Sequence, residues 1–159
     1  MFTSIAKIEV RYAETDQMGV VYHANYLVWC EIGRTKLIEE MGFKYAQMEQ
    51  EGIMSPVVNV QFSYKYPARY GETVEVRTWV EEYNSIKVTY GYEIVNQDGK
   101  ICVTGTSEHV CVTKESFRPI SIKRKFPLLH DAYEKVKNKT NVYKTCLKVK
   151  ITLWFFSNT

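Results

Sequence analysis

The chain has 159 residues, of which 45% are hydrophobic and 25% charged, and its formal net charge is +3. This length suits one domain that buries its own core without disulfides. The mild charge argues against a nucleic-acid-binding protein. No apolar run is long enough for a signal peptide or a membrane span, so we expect a cytoplasmic protein.

The cysteines and the common nucleotide motifs exclude several further classes. Cys30, Cys102, Cys111 and Cys146 form no C-x-x-C pair, and no histidine stands at a metal-ligand spacing from them. The chain also lacks a G-x-S-x-G elbow, a P-loop and a G-x-G-x-x-G fingerprint. We therefore expect buried, reduced thiols, no metal and no cofactor.

The first half of the chain predicts a strand, a loop and one long helix. Residues 5 to 12 are expected to form the first strand, and a loop that carries Asp16 follows. From Ala24 to Met41, apolar and small residues recur with a period near 3.6, which predicts a mostly buried helix that ends at Gly42. Residues 44 to 51 are expected to add another helical turn or two.

After Gly52 the period of the apolar residues changes to two, which predicts strands. Residues 58 to 66 alternate as a strand with one buried face, and residues 74 to 80 and 86 to 94 follow with the same pattern. Asp98-Gly99 is typical of a tight turn, so the next strand, over residues 100 to 113, is expected to pair directly with its predecessor. The sheet is therefore predicted to be antiparallel.

The chain after the sheet divides into a short helix and an extension. Pro127 suits the first position of a helix that runs through Val136. Residues 142 to 156 alternate again and are expected to be either an added edge strand or a disordered tail. We assign residues 1–137 to one α+β domain, an antiparallel sheet wrapped around one long central helix, and residues 138–159 to a C-terminal extension.

The stretch from Thr15 to Tyr26 holds the best candidates for chemistry. Asp16 stands just before Gly19 and the predicted helix start, where unpaired backbone N–H groups can hold an oxygen that gains negative charge. Asp16 suits the role of base or nucleophile beside that oxygen, although most aspartates in such loops only form an Asx turn. Gly19 would let a ligand approach the backbone closely.

The neighbours of Asp16 allow more than one role. His23 either supplies a polar side chain or only presents its backbone N–H to the substrate. Asn25 either caps the helix or fixes a water, and capping is the expected role. Tyr12 and Tyr22 are expected to be pocket walls, because an unperturbed phenol is poorly matched to acid chemistry at neutral pH. Arg118, Lys123 and Arg124 are either a solvated turn or a phosphate clamp.

Two blocks of sequence carry a family resemblance. The run from Arg11 to Arg34, RYAETDQMGVVYHANYLVWCEIGR, closely resembles the signature of the 4-hydroxybenzoyl-CoA thioesterase family, and most of all its Tol-Pal-associated branch of short-chain acyl-CoA thioesterases. Residues 62 to 72, FSYKYPARYGE, resemble the second block of that family. One departure is Glu14, which stands where many relatives have a second aspartate.

This resemblance implies a hotdog fold, homodimers or homotetramers, and active sites at the subunit interface. It assigns Asp16 as the catalytic carboxylate and His23 as the residue whose backbone N–H polarises the thioester carbonyl. The predicted substrate-binding residues are Tyr12, Gly19, Val21, Tyr22, Asn25, Tyr26, Arg118, Lys123 and Arg124.

The predicted activity is hydrolysis of an acyl-CoA thioester to a free acid and CoA, with Asp16 as nucleophile or general base. CoA is then part of the substrate. Two alternatives remain at this stage: a hotdog dehydratase or hydratase that acts on acyl thioesters, and a non-catalytic acyl-CoA-binding protein.

Overall fold

A computed structural model describes residues 2–137 of the chain. One long helix, α1 (Asn25–Glu40), packs on a five-stranded antiparallel sheet whose strand order is β1-β4-β5-β6-β3. These strands are β1 (Ser4–Glu9), β3 (Val57–Tyr64), β4 (Thr73–Tyr83), β5 (Lys87–Asn96) and β6 (Ile101–Val110). The smaller elements are α2 (Tyr45–Gln50), β2 (Ile53–Met54), β7 (Val112–Thr113), α3 (Ile122–Lys125) and α4 (127–137). The predicted extension over residues 138–159 lies outside the described residues.

The helix α1 forms over the residues whose apolar period of 3.6 predicted a helix. It ends just before Gly42, the predicted stop. Its buried residues are Tyr26, Trp29, Cys30, Gly33, Leu37 and Ile38. Gly42 takes a φ of +94°, and the N–H groups of Gly42 and Phe43 donate to the carbonyls of Glu39 and Ile38. These two bonds satisfy carbonyls that the last helical turn leaves free.

The centre of the sheet follows the predicted alternation. In β4, Val74, Val76, Thr78 and Val80 are buried, whereas the residues between them are half-buried. The strand β5 is buried along nearly its whole length. The turn at Asp98-Gly99 joins β5 to β6 as predicted, with Gly99 at a φ of +76°.

The prediction of one buried face on the strand over residues 58–66 is wrong for the single chain. Val57, Val58, Val60 and Tyr64 are between 38% and 55% exposed, and only Phe62 is half-buried, against Tyr92. The reason is position in the sheet, because β3 is an edge strand and α1 packs over the opposite side, on β1 and β4.

Three boundaries also differ from the sequence prediction. The first strand ends at Glu9, and a single 3-10 turn over Tyr12–Glu14 replaces its predicted end. The predicted strand over residues 100–113 breaks at Cys111, and its last part, β7, pairs with β2 in a separate two-stranded sheet. The short helix α3 precedes the predicted helix at Pro127. No helix within residues 2–137 is both long and apolar enough to cross a bilayer.

Candidate active site

Asp16 lies in a tight loop whose two ends are held together like a small hairpin. Thr15 and Val21 form an antiparallel bridge, and the Asp16 N–H donates to the Val20 carbonyl over 2.9 Å. The Gly19 N–H donates to the Asp16 carbonyl, also over 2.9 Å, with Gly19 at a φ of +70° that favours glycine. The loop therefore fixes the backbone on both sides of the carboxylate.

The Asp16 carboxylate has one engaged oxygen and one free oxygen. Oδ1 accepts a hydrogen bond from the Met18 N–H over 2.8 Å, which is the Asx-turn contact that its sequence context suggested. Among the described residues no donor reaches Oδ2. The side chain is half-buried, so this oxygen is available to a ligand while the Asx turn holds its direction.

The Glu14 side chain connects the start of the Asp16 loop to α1 through hydrogen bonds. Its buried carboxylate accepts hydrogen bonds from the Arg11 N–H (2.8 Å), the Arg11 guanidinium (2.7 Å) and Trp29 Nε1 (3.0 Å). Burial opposes the charge of this carboxyl, but the hydrogen bonds from Arg11 and Trp29 outweigh it, so the pKa of Glu14 lies below its usual value. The acid at this position is therefore structural, and sequence reasoning missed it because its partner Trp29 is fifteen residues away.

The start of α1 is tied to the same anchor. The Glu14 carbonyl accepts from the Tyr22 N–H over 2.9 Å and from Asn25 Nδ2 over 2.8 Å. Asn25 is the first helical residue, and the N-cap is Ala24, which makes no side-chain cap. The expectation that Asn25 caps the helix is thus wrong, because its amide reaches back to the 3-10 turn instead.

His23 lies in the turn just ahead of α1, with its imidazole exposed. Its carbonyl accepts a hydrogen bond from the Tyr64 hydroxyl over 3.2 Å, and its ring centroid lies 4.3 Å from that of Tyr22. No residue within the range 2–137 accepts a hydrogen bond from the His23 backbone N–H. A free donor therefore stands at the positive end of the helix dipole.

Asp16 and His23 line one cavity of about 330 Å³. The other residues that line it are Met18, Val20, Val21, Tyr26, Tyr64, Lys65, Tyr66 and Pro67. The Tyr26 hydroxyl accepts from the Ala68 N–H over 3.0 Å, and burial is the main cause that raises the pKa of Tyr26. Tyr26 is therefore a neutral wall of the cavity, fixed in place by the backbone after β3.

The structure separates the remaining predicted residues into those near the cavity wall and those outside it. Val21 and Tyr26, two of the predicted substrate-binding residues, line the cavity. Tyr12, Gly19, Tyr22 and Asn25 lie in the same region of the chain but are not among its lining residues. Tyr12 is 78% exposed and packs edge-on against Tyr70, at a centroid distance of 5.7 Å.

The predicted phosphate clamp lies at the other end of the sheet. The Arg118 carbonyl accepts from the Thr113 N–H, just beyond the end of β6, and the neighbouring residues Lys123 and Arg124 lie on α3. The cavity lies at the opposite end of β6, where the Lys65 N–H donates to the Cys102 carbonyl. A ten-residue strand spans about 30 Å, so one chain does not bring these cations to Asp16.

The residues after β3 are the part of the site that the predicted roles omitted. Tyr64, Lys65, Tyr66 and Pro67 form one wall of the cavity, opposite the loop of Asp16. Their signal in the sequence was the second block of the family resemblance, to which no role had been assigned. Only the fold shows that this block faces Asp16.

The three described cysteines are buried thiols. Cys30, Cys102 and Cys111 are buried and free, and burial raises the pKa of Cys30 to about 12 and those of Cys102 and Cys111 to about 11. Cys146 lies outside the described residues. Within residues 2–137 no three His, Cys, Asp or Glu side chains are grouped as metal ligands.

Comparison with known proteins gives the class that this fold and site define. The family model described as the thioesterase-like superfamily matches residues 10–136. The Bacillus subtilis (strain 168) protein named "Putative acyl-CoA thioesterase YneP" is 58% identical over 137 residues, which cover 86% of this chain and 99% of that protein. A Staphylococcus aureus structure described as a DHNA-CoA thioesterase superposes with a TM-score of 0.86 at 47% identity, covering 89% of this chain and 95% of that one.

A more distant relative is the acyl-CoA thioester hydrolase YbgC of Escherichia coli O6:H1, 26% identical over 74% of this chain and 87% of that protein. The chain belongs to the thioesterase-like superfamily and is a thioester hydrolase. The predicted hotdog fold, an α+β sheet around a central helix, is confirmed.

Proposed function

We propose that the chain hydrolyses an acyl-CoA thioester in the cavity that Asp16 and His23 share. One observation carries the proposal: Asp16, whose carboxylate has an oxygen free of described donors, and His23, whose backbone N–H has no described acceptor, line the same cavity. A carboxylate supplies a nucleophile or a base, and a preorganised N–H stabilises the oxyanion that forms when the carbonyl is attacked.

The residues have distinct parts in this reaction. The thioester oxygen accepts a hydrogen bond from the His23 N–H, an interaction that contributes on the order of 3 kcal/mol to the transition state. Asp16 Oδ2 either attacks the carbonyl carbon to form an anhydride or removes a proton from an attacking water. On both routes the thioester C–S bond breaks, water supplies the new oxygen of the acid, and the CoA sulfur leaves as thiol after taking up a proton.

We infer an aromatic acyl group as the preferred substrate. Three tyrosines, Tyr26, Tyr64 and Tyr66, line the cavity, and flat aromatic groups pack well on such walls. The Staphylococcus aureus protein at 47% identity is described as acting on DHNA-CoA. The Tol-Pal-associated branch, with short acyl chains, is the second candidate, because the run from Arg11 to Arg34 resembles that branch most.

We also propose that the working enzyme is at least a dimer, paired along β3. This edge strand exposes free backbone groups and several apolar side chains, an arrangement that favours pairing with another strand. A two-fold axis across an antiparallel β3 pair would place the Tyr64 end of one copy beside the Val57 end of the other. The partner's Arg118, Lys123 and Arg124 would then approach the cavity, and the predicted clamp would serve the site of the neighbouring copy.

The central test is Asp16→Asn, which keeps the size of the side chain and removes its charge. We expect kcat to fall by about 100-fold or more while folding and CoA binding stay nearly unchanged. Thiol release should be measured over a panel of aromatic, short-chain and long-chain acyl-CoA esters. Asp131→Asn, at an exposed position on α4, is the matched control and should leave turnover unchanged.

Three outcomes would contradict the proposal. Retained turnover in Asp16→Asn would remove the catalytic assignment. A new or lost double bond without thiol release would indicate a hydratase or dehydratase. Tight CoA binding by the wild-type protein without any product would indicate a binding protein.

A further inference from the structure

Three cations without an ion-pair partner among the described residues lie at or beside the Asp16 cavity. Lys65, Arg69 and Lys100 are all exposed, and none of them forms an ion pair with another described residue. Some cations of the described chain, such as Arg11 and Lys87, are paired with carboxylates, whereas others, such as Lys114, are not. We refer to Lys65, Arg69 and Lys100 as the basic rim.

Each member of the basic rim either lines the cavity or bonds to a lining residue or to the loop of Asp16. Lys65 itself lines the cavity. The Lys100 ammonium donates to the Tyr66 hydroxyl over 3.1 Å and lies 4.3 Å from the centroid of that ring. Arg69 Nη1 donates to the Gly19 carbonyl over 3.3 Å, in the loop of Asp16. Two segments that are distant in sequence, residues 65–69 and Lys100, thus place positive charge beside one cavity.

The position of Lys100 is preorganised for an anion. The hydrogen bond and the ring contact with Tyr66 hold a side chain that would otherwise lose rotamer freedom on binding. Glu72 and Asp98 lie close enough to act on Lys100 electrostatically, but neither forms an ion pair with it. The ammonium group therefore keeps hydrogen-bonding capacity for a ligand outside the cavity.

We propose that the basic rim binds the nucleotide phosphates of the CoA moiety from the same chain that supplies Asp16. This inference rests on the proposed function, since it places the polyanionic end of that substrate. With the thioester at His23, the pantetheine arm leaves through the mouth of the cavity, and the phosphates meet Lys65 and Lys100 outside it. Ammonium and guanidinium groups match phosphate oxygens in charge and hydrogen bonding.

The test compares a rim variant on substrates with and without phosphates. Arg69 is left intact, because it also holds the loop of Asp16. For the double variant Lys65→Gln/Lys100→Gln we expect KM for an acyl-CoA to rise about 10-fold or more, with kcat little changed. For the matching pantetheine thioester, which carries no phosphate, KM should be the same in variant and wild type.

Two further variants test whether the change in KM comes from the basic rim, from any loss of positive charge, or from the distant cations. Lys114→Gln/Lys135→Gln removes the same charge from exposed sites elsewhere and should leave KM unchanged. If Lys123→Gln/Arg124→Gln raises KM for acyl-CoA while the rim variant does not, the phosphates bind at the distant cations and the inference is wrong. An equal effect of the rim variant on both substrates would also overturn it.

The failure of the inference can be told apart from failure of the proposed function. If wild-type protein releases no thiol from any thioester, the proposed function fails, and calorimetric titration with CoA alone then tests the basic rim. A Kd weakened in the rim variant but not in Lys114→Gln/Lys135→Gln supports the inference, and equal Kd values overturn it.

Discussion

Two carboxylates two residues apart, Glu14 and Asp16, have different surroundings, which suit them to different roles. Glu14 is buried and its oxygens accept three hydrogen bonds, so it holds the loop and the helix start together. Asp16 is half-buried, with one oxygen fixed by the Met18 N–H and the other free of described donors. Carboxylate oxygens that already accept hydrogen bonds are suited to a structural role, and an oxygen without a donor is suited to a chemical role.

His109 gives a prediction on pH at the level of single residues. It is fully buried, its Nδ1–H donates to the Ser55 carbonyl, and its Nε2 accepts from Arg34 and Ser107. Burial, together with the Arg34 charge, lowers the pKa of His109 to about 4.

Between pH 6.5 and 4, His109 binds a proton in the unfolded chain but not in the folded protein. The folded state therefore loses stability as the pH falls. We expect the free energy of unfolding to drop by roughly 2 to 3 kcal/mol from this residue between pH 7 and 4.5. Urea unfolding of wild type and His109→Asn at both pH values measures it. An equal pH dependence in both proteins would contradict the assignment.

The missing side chain at Gly33 determines how closely the long helix α1 lies on the sheet. Gly33 lies in the middle of α1, where glycine is unfavourable for helix formation by about 1 kcal/mol relative to alanine. The structure supplies the reason, because a Cβ there would collide with Thr78 Oγ1 and would lie 2.9 Å from Val76 Cγ1 on β4. Gly33 therefore lets α1 approach the sheet closely at this point.

Gly33→Ala is expected to destabilise the protein by about 1 to 3 kcal/mol, because the overlap with β4 outweighs the gain in helix propensity. Glu39→Ala, at an exposed position of the same helix, should change the stability by a few tenths of a kcal/mol. Denaturant unfolding measures both. A Gly33→Ala protein more stable than wild type would show that the helix is not held by this contact.

For the whole molecule, the unequal edges of the sheet favour assembly through one of them. The strand β3 exposes Val57, Val58, Val60 and Tyr64, and Leu27, Val28 and Ile32 are 42% to 49% exposed on α1. Surfaces of this kind are uncommon on monomers and mark interaction sites. The cavity that Asp16 lines also includes Tyr64 of β3, so on the proposed function its completion and the assembly of subunits are expected to depend on each other.

We therefore expect Val60→Lys to shift the protein from dimer toward monomer and to lower thioesterase activity in parallel. Ile5→Lys, on the other edge strand β1, is the matched control, since Ile5 is also exposed and should leave both properties unchanged. Light scattering coupled to size-exclusion chromatography measures the mass. A fully active wild-type monomer would contradict the proposed pairing.

The sequence by itself determined the long helix, the central strands and the region of the candidate active site. The periods of 3.6 and 2 follow directly from which side chains meet the core, so α1, β4 and β5 could be predicted from apolar spacing. The Gly42 stop and the Asp98-Gly99 turn depend on backbone conformations that few residues other than glycine adopt easily. The run from Arg11 to Arg34 likewise pointed to the loop of Asp16 and the helix start.

Only the tertiary structure decided the features that depend on contacts distant in the chain. Alternation in β3 shows a strand but not its place in the sheet, so its edge position and its exposed side chains could not be predicted. The sequence does not show that Lys65 lines the same cavity as Asp16, that Lys100 bonds to Tyr66 of that cavity, or that Arg118 lies at the far end of β6. These distances are set by strand order and register, which arise when the whole chain packs and not from any local pattern.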